Sequence, residues 1–333
     1  MKRTIMLFTF VLLSSLILFN SCGNKKVKIG LLMDNFEQER WEKDRDFFMK
    51  RAGDLGSTIL VEVADGDASK QLEQAHKLLD ERVDVLVIVP SDLNEAAKIV
   101  HLAHRYGVRV LSYDRLIKDC KLDFYISFDN VEVGTLQAEY LTKICPVGNY
   151  AIIGGARTDN NAFLLKIGQM NVLDPLIEKG DIKIVYDQFV DKWSEENGYT
   201  HMNECLKKNK KVDAVLVAND GLATGVARAL EEHQLLGKVY ISGQDAELSA
   251  CQRIIAGTQA MTVYKPIEAI AYKAAEIAVR LANDDKFEDL HMSVNNGKIM
   301  VPALLLPPMV VSRETIKLTV VADGYLKENK IFE

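Results

Sequence analysis

Polar and charged side chains follow one apolar run of this sequence after another. Asp114 and Arg115 come directly after the run that ends at Tyr113, and Asn219 follows the run that ends at Ala218. Runs of this length are typical of buried strands, and in open α/β sheets ligands bind beyond the carboxyl ends of the strands. The side chains in this position are Asp34, Asn35, Ser91, Asp92, Asp114, Arg115, Asp159, Asn160, Asn161, Asn219, Asp220, Gln244, Asp245 and Lys265. Each alone is explained by a turn or a cap, but together they supply the donors and acceptors that pair with a ring of hydroxyl groups.

The two tryptophans of the chain lie at the same level of the predicted sheets. Trp41 follows the first predicted strand, and Trp193 follows the strand that ends at Phe189. An indole can stack on the apolar face of a pyranose ring while its polar edge stays available for hydrogen bonds. The alternative is that both are ordinary aromatic residues of the core or its rim.

Motifs for catalysis, nucleotides and metals are missing from the sequence. It contains neither a glycine-rich phosphate loop nor a GxSxG nucleophile elbow. Asp114 and Asp159 have the chemistry of an acid/base pair for glycoside hydrolysis, but Arg115 beside Asp114 favours its ionised form. His101 and His104 are three residues apart on a predicted helix with no third ligand, which favours a solvated face over a zinc site. We therefore predict a binding protein with no catalytic residue, no metal and no cofactor.

The composition indicates a globular protein of about two domains. The chain has 333 residues, of which 48% are hydrophobic and 26% charged. A net charge of −6 without a basic cluster argues against a nucleic-acid partner. Strand-like and helical segments alternate, and about eleven strands are too many for one sheet. We predict an α/β fold of two doubly wound, Rossmann-like lobes with parallel sheets, joined by a hinge near Asp129 and Asn130.

The N-terminus has the pattern of an export signal. Lys2 and Arg3 precede the apolar run Ile5–Phe19, which is too short to span a bilayer comfortably. The following residues, up to Cys22, resemble the bacterial lipobox, in which the cysteine becomes the lipidated first residue. We predict a lipoprotein signal peptide over 1–21 and a lipidated tether over 22–26. The mature chain is predicted to lie in the periplasm or cell envelope, where the lipid anchors it to a membrane. The alternative is an ordinary signal peptide with a chance cysteine.

Several long, ordered stretches carry a resemblance to a known family. The chain closely resembles the ribose-type periplasmic sugar-binding proteins of ABC transporters from Val27 to Glu333. The stretches that carry it are Glu39-Arg40-Trp41, Val83–Pro90, Tyr113-Asp114-Arg115, Asp123–Asn130, Asp159–Ala162, Ser242–Asp245 and Ala256–Pro266. With this resemblance we expect an N-terminal lobe over 27–130 plus 265–290 and a C-terminal lobe over 131–264 plus 291–333.

The resemblance also implies which residues hold the ligand. Arg40, Asp114 and Arg115 would bind sugar hydroxyls from the N-terminal lobe, and Lys265 from a crossing strand. Trp41 and Trp193 would sandwich the ring. The C-terminal lobe would contribute Asp159, Asn161, Asn219 and Asp245.

The resemblance implies a neutral aldopyranose ligand, D-xylose in the first place, and a monomer that delivers it to an ABC transporter membrane permease. Arg40-Trp41 and Lys265 distinguish the chain from ribose binders. The alternatives are a receptor for another pentose or hexose that feeds a membrane sensor, and a carbohydrate-processing enzyme on a similar fold.

Overall fold

The computed structural model describes residues 26–37, 40–209, 211–287, 289 and 291–333. The predicted signal peptide and Cys22 lie outside these residues. Within them, two separate sheets with almost only parallel strand pairs are each flanked by helices, which confirms the predicted α/β class with two doubly wound lobes.

The first sheet has seven strands in the order β11-β12-β5-β4-β3-β1-β2. All neighbours are parallel except β11 and β12. Helices cover both faces, so its central strands are buried and almost entirely apolar. The strands are β1 (Lys28–Met33), β2 (Thr58–Val63), β3 (Val85–Ile88), β4 (Arg109–Tyr113), β5 (Phe124–Phe128), β11 (Ser293–Asn295) and β12 (Met300–Leu306). The helices are α1 (Arg40–Asp54), α2 (Ala68–Asp80), α3 (Ala96–Arg105) and α9 (Ile267–Ala282).

The second sheet has four parallel strands in the order β7-β6-β8-β9. Its core is built from strand residues such as Val215 and Val217 packed on helix residues such as Leu222 and Val226. The strands are β6 (Gly148–Ala156), β7 (Ile182–Val190), β8 (Ala214–Val217) and β9 (Tyr240–Ile241). The helices are α4 (Asn130–Ile144), α5 (Asn160–Lys179), α6 (Glu195–Lys208), α7 (Asp220–Glu232) and α8 (Leu248–Ala256).

The last part of the chain corrects one predicted boundary. We expected residues 291–333 in the C-terminal lobe, but β12 pairs with β5 in the first sheet, with Ala303 opposite Tyr125. The chain therefore returns to the first lobe before it ends. Only the residues after β12 lie with the second lobe: β13 (Met309–Val311) pairs with β10 (Thr262–Tyr264), and a π-helix (Lys317–Val321) and α10 (Glu328–Ile331) pack beside them.

Among the described residues, the histidines and cysteines form neither a metal site nor a disulfide. His101 and His104 are exposed, and His104 Nε2 lies 2.8 Å from a carboxylate oxygen of Asp123. The four cysteines in the described ranges are buried, as expected for small apolar residues. Among the described residues, no helix is both long enough and apolar enough for a membrane crossing.

Candidate ligand site between the lobes

The structure brings all ten predicted ligand residues to one cavity between the lobes. Every side chain that lines it is polar or aromatic, and all except the half-buried Trp193 are at most 5% exposed. The lining consists of Arg40, Trp41, Asp114, Arg115, Asp159, Asn161, Trp193, Asn219, Gln244, Asp245 and Lys265.

Strand ends and helix starts position these side chains. Arg40 and Trp41 begin α1, and Asp114 and Arg115 follow β4. Asp159 caps α5 by accepting a hydrogen bond from the backbone N–H of Asn161 at 2.9 Å. Asp, Asn and Ser are preferred at caps because a side-chain oxygen satisfies a backbone N–H that the helix leaves unpaired. The carboxyl edges of both sheets thus face the same cavity, as the strand-end pattern predicts.

Strand ends and helix starts also position Asn219, Trp193 and Lys265. Asn219 caps α7 through its Oδ1, which accepts from the N–H of Leu222 at 3.0 Å. Trp193 lies between β7 and α6, and Lys265 follows β10. The cap leaves the Nδ2 group of Asn219 available to a ligand.

Two of the acidic residues have a backbone conformation that is rare outside glycine. Asp114 has φ +62° and Asp245 has φ +93°. Such conformations cost free energy and are found where the surrounding structure imposes them, often at ligand sites. Here each places a carboxylate at the cavity wall, Asp114 directly after β4 and Asp245 in the loop that follows β9.

Arg40 lies at the centre of a buried charge network that joins the two lobes. Its guanidinium contacts Asp44 at 3.0 Å and Asp114 at 2.9 Å within the first lobe, and Asp245 of the second lobe at 3.5 Å. Lys265 contacts the same oxygen of Asp245 at 2.9 Å. Because buried charges are costly unless paired, this network favours an uncharged ligand.

Arg115 makes a second bridge between the lobes. Its Nη1 donates to Asp34 at 2.7 Å and to the carbonyl of Pro90 at 3.1 Å, and its Nε forms an ion pair with Asp159 at 3.0 Å. Asn161 Nδ2 also donates across the cleft to the Asp114 carbonyl at 3.1 Å. The lobes therefore touch each other directly around the cavity.

The acidic residues differ in their protonation equilibria. Burial raises the pKa of Asp114, but Arg40, Lys265 and Arg115 outweigh it and hold the pKa below its ordinary range. For Asp159, burial outweighs Arg115 and leaves the pKa above its ordinary value. Asp114 is thus held ionised by its cationic neighbours, in line with the argument against a general acid at this position.

The two tryptophans lie at the cavity in different settings. Trp41 is buried, with the guanidinium carbons of Arg40 and Arg115 at 4.4 and 5.3 Å from its ring centroid. Trp193 passes over Gly155, where an alanine Cβ would lie 2.0 Å from the Cη2 atom of the ring. Residue 155 must be glycine for Trp193 to occupy its position at the cavity.

Besides Arg115 Nε, which forms the ion pair with Asp159, five buried polar atoms on the lining residues have no hydrogen-bond partner within the part of the chain that the structure describes. They are Trp41 Nε1, Trp193 Nε1, Asn161 Oδ1, Asn219 Nδ2 and Gln244 Oε1. Buried polar groups are almost always hydrogen-bonded, and leaving one unpaired costs about 1–3 kcal/mol. Three donors and two acceptors around one cavity match hydroxyl groups, which both donate and accept.

Three residues of the site were not among the ten predicted. Gln244 lines the cavity although only its neighbour Asp245 was selected from the same strand end. Asp44 holds Arg40 and also accepts from the hydroxyl of Tyr113, and Asp34 holds Arg115. Asp34 and Gln244 carried the strand-end signal. Asp44 did not, because it lies within a helix rich in charges.

Comparison with known proteins identifies the family. A family model for the periplasmic binding protein domain matches residues 29–286. The chain belongs to the periplasmic binding protein family. As in this family generally, the setting is the periplasm.

Two relatives are similar over almost the whole chain. The D-xylose-binding periplasmic protein of Haemophilus influenzae is 46% identical over 96% of this chain and 97% of its own length. The D-xylose-binding periplasmic protein of Escherichia coli is 47% identical, with the same coverage. These relatives confirm that the chain is a binding protein and not an enzyme.

A solved structure is similar in fold over nearly the same range. The carbohydrate transporter solute-binding protein from Chloroflexus aurantiacus, in complex with D-glucose, superposes with a TM-score of 0.85. It is 28% identical and covers 92% of this chain and 98% of its own. The two-lobed architecture is thus that of solute-binding proteins.

Proposed function

We propose that this protein binds D-xylose between its two lobes and delivers it to the membrane permease of an ABC importer. The observation that carries the proposal is the set of five buried polar atoms on the cavity residues that lack a partner among the described residues. Hydroxyl groups of a pyranose would pair with them and remove the cost of their burial.

The charge and the lining of the cavity restrict the class of ligand that it can bind. Arg40, Arg115 and Lys265 are each already paired with carboxylates, so an anionic or cationic ligand would leave a buried charge uncompensated. The cavity is lined by polar side chains and two indoles, with no aliphatic side chain among the lining residues. A neutral monosaccharide fits this lining and the charge balance.

Among monosaccharides, D-xylose is favoured over a hexose. Two relatives with nearly half of their residues identical are named for D-xylose. A xylopyranose lacks the exocyclic hydroxymethyl group of glucose, which a small closed cavity can exclude sterically. The D-glucose in the Chloroflexus protein makes a hexose the second candidate.

Contacts across the cleft support closure of the lobes on the sugar. Ligand residues come from both lobes, and Arg40–Asp245 and Arg115–Asp159 pair across the cleft. Hinge closure around a ligand is the established motion of periplasmic binding proteins. A sugar bound by both walls would stabilise the closed arrangement over the open one.

The cellular arrangement completes the proposal. We expect a monomer, anchored through a lipid on Cys22 to a membrane of the cell envelope, that presents its closed form to the permease. Bacterial lipoproteins carry several acyl chains, which gives more lasting attachment than a single chain.

Calorimetric titration with D-xylose, D-glucose, D-ribose and L-arabinose tests the proposal. We expect D-xylose to bind most tightly. Asn219→Ser keeps an oxygen for the helix cap but removes the unpartnered Nδ2 donor, so it separates ligand binding from folding. We expect it to weaken D-xylose binding about tenfold with little change in Tm. Tighter binding of D-glucose or D-ribose than of D-xylose would refute the assignment.

A further inference from the structure

We propose that Asp220 is a positioning residue of the ligand site, because its carboxylate holds the 243–247 loop that presents Gln244 and Asp245 to the cavity. Asp220 lies directly after Asn219 but does not line the cavity itself. The inference rests on the proposed function, since it assigns a role in sugar binding to a residue that does not contact the sugar.

Three donors converge on the Asp220 carboxylate. Oδ2 accepts from the hydroxyl of Thr262 at 2.7 Å and from the backbone N–H of Glu247 at 3.1 Å. Oδ1 accepts from the side-chain amide of Gln259 at 2.9 Å. The backbone N–H of Asp220 donates to the carbonyl of Gln244 at 2.9 Å. Asp220 therefore holds the 243–247 loop near both of its ends.

The backbone of this loop needs such support. Asp245 has φ +93° and Ala246 has φ +52°, both in the region that residues other than glycine rarely occupy. At Gly243, an added Cβ would lie 1.9 Å from Asp220 Oδ1, so the carboxylate occupies the space where a side chain would otherwise stand. The Thr262 hydroxyl that donates to Asp220 lies 3.4 Å from the N–H of Ala246, from which it accepts. Asp220, Thr262 and the loop thus form one connected network.

The ionised form of Asp220 fits this network better than the protonated form. All three side-chain and backbone partners donate to the carboxylate, so a proton on Oδ2 would face the donors of Thr262 and Glu247 and displace one of them. The Thr262 and Gln259 donors lower the pKa of Asp220. Losing the network while the carboxylate stays buried would raise that pKa further, so a protonated Asp220 holds the loop less firmly than an ionised one.

The surroundings place this change of protonation near neutral pH. Burial raises the pKa of Asp220 to about 7, against the lowering effects of Thr262, Gln259 and the Arg253 guanidinium of α8. The charged groups that face it from the neighbouring elements are Asp245, which raises the pKa further, and Arg253, whose Nε donates to Gln259 at 3.0 Å. Glu247 faces it through its backbone.

The test compares Asp220→Asn with the unaltered protein at two pH values. Asn has the size of Asp, but it is neutral and replaces one acceptor by a donor. At about pH 8, where Asp220 is mostly ionised, we expect the variant to bind D-xylose about tenfold more weakly. At about pH 5.5, where both side chains are neutral, the two affinities should agree within about twofold. Asp159 and other titrating groups are present in both proteins and change both Kd values alike. The ratio of the two Kd values at each pH therefore reports on Asp220.

A second measurement does not depend on the sugar. Hydrogen exchange of the Ala246 and Glu247 amides in the sugar-free protein reports directly on the loop. We expect the protection of these amides to fall in the unaltered protein as the pH falls through about 7, and to be low at every pH in Asp220→Asn. Leu230→Ala is the control, because Leu230 is buried on the same helix about 15 Å further along and should lower Tm without changing the pH dependence of the affinity ratio.

The outcomes separate the inference from the proposed function. If the unaltered protein binds no sugar of the panel but loses loop protection as predicted, the proposed function fails and the role of Asp220 in holding the loop stands. If D-xylose binds and the Kd ratio is the same at both pH values, with unchanged exchange, the positioning role is refuted. A ratio that changes equally in Leu230→Ala would also refute it, since the effect would then come from stability alone.

Discussion

Gly155→Ala should weaken sugar binding through Trp193 while leaving the rest of the cavity intact. The new Cβ would lie 2.0 Å from Trp193 Cη2 and 2.2 Å from Cζ2. Carbon atoms in contact are separated by about 3.5–4.0 Å, so the indole must move by about 1.5 Å. If the sugar covers roughly 50 Å² of this indole, losing the contact at about 25 cal/mol per Å² costs about 1.2 kcal/mol, which is about an eightfold higher Kd.

Calorimetry and tryptophan fluorescence measure the two consequences separately. We expect a higher Kd for D-xylose and a smaller change of emission on sugar addition. Gly53→Ala in α1 is the matched control, because no heavy atom lies within 4 Å of its added Cβ. A Gly155→Ala protein that binds D-xylose as tightly as the unaltered chain would show that Trp193 does not contact the sugar.

Four further results are expected. Asp245→Ala should raise the Kd for D-xylose about 10- to 150-fold, since a hydrogen bond to a charged group contributes about 1.5–3 kcal/mol. Asp245→Ala also leaves the Lys265 ammonium without an acceptor, whereas Asp245→Asn keeps an amide oxygen for it and should therefore cost less stability. Equal Kd values for Asp245→Ala and the unaltered protein would remove Asp245 from the site. Cys22→Ser should leave the precursor unprocessed or mislocalised on cell fractionation, and a fully soluble unaltered chain would contradict the anchor. Small-angle scattering should show a smaller radius of gyration with D-xylose, and an unchanged radius would contradict closure. Global unfolding, unlike loosening of the 243–247 loop, exposes Asp220 to water, where its ordinary pKa is 3.8, whereas the folded protein keeps the proton up to about pH 7. Denaturant titrations should therefore show the stability relative to Asp220→Asn falling by up to about 4 kcal/mol as the pH rises from about 4 to 8, and a flat difference would exclude the raised pKa.

The sequence predicts which strand-end residues meet at the cavity because of a property of parallel sheets. The carboxyl ends of their strands lie at one edge, so residues far apart in the chain, such as Asp114 and Asn219, converge whenever each follows a strand. The same rule also includes Gln244, which lines the cavity, and Asp34, which holds Arg115. The rule alone is not sufficient, because it includes Asn35 and Asp92, which do not line the cavity, and because Arg40 came from the family resemblance.

Pairings between distant segments could not be predicted in this way. The apolar run of β12 could extend the edge of either sheet, and only the structure shows that it pairs with β5. Asp44 belongs to a helix of alternating charges, and its burial against Arg40 depends on how α1 packs. The contact between Asp220 and Thr262 likewise depends on the packing of α7 against β10.

A crystal structure of the protein grown with D-xylose tests the central claim most directly. The account predicts one xylopyranose in the cavity between the lobes, with its hydroxyl groups within hydrogen-bond distance of Asn161 Oδ1, Asn219 Nδ2 and Gln244 Oε1, and with its ring against Trp193. A xylose bound elsewhere on the protein, or one held by a single lobe with these three atoms still unpartnered, would contradict it.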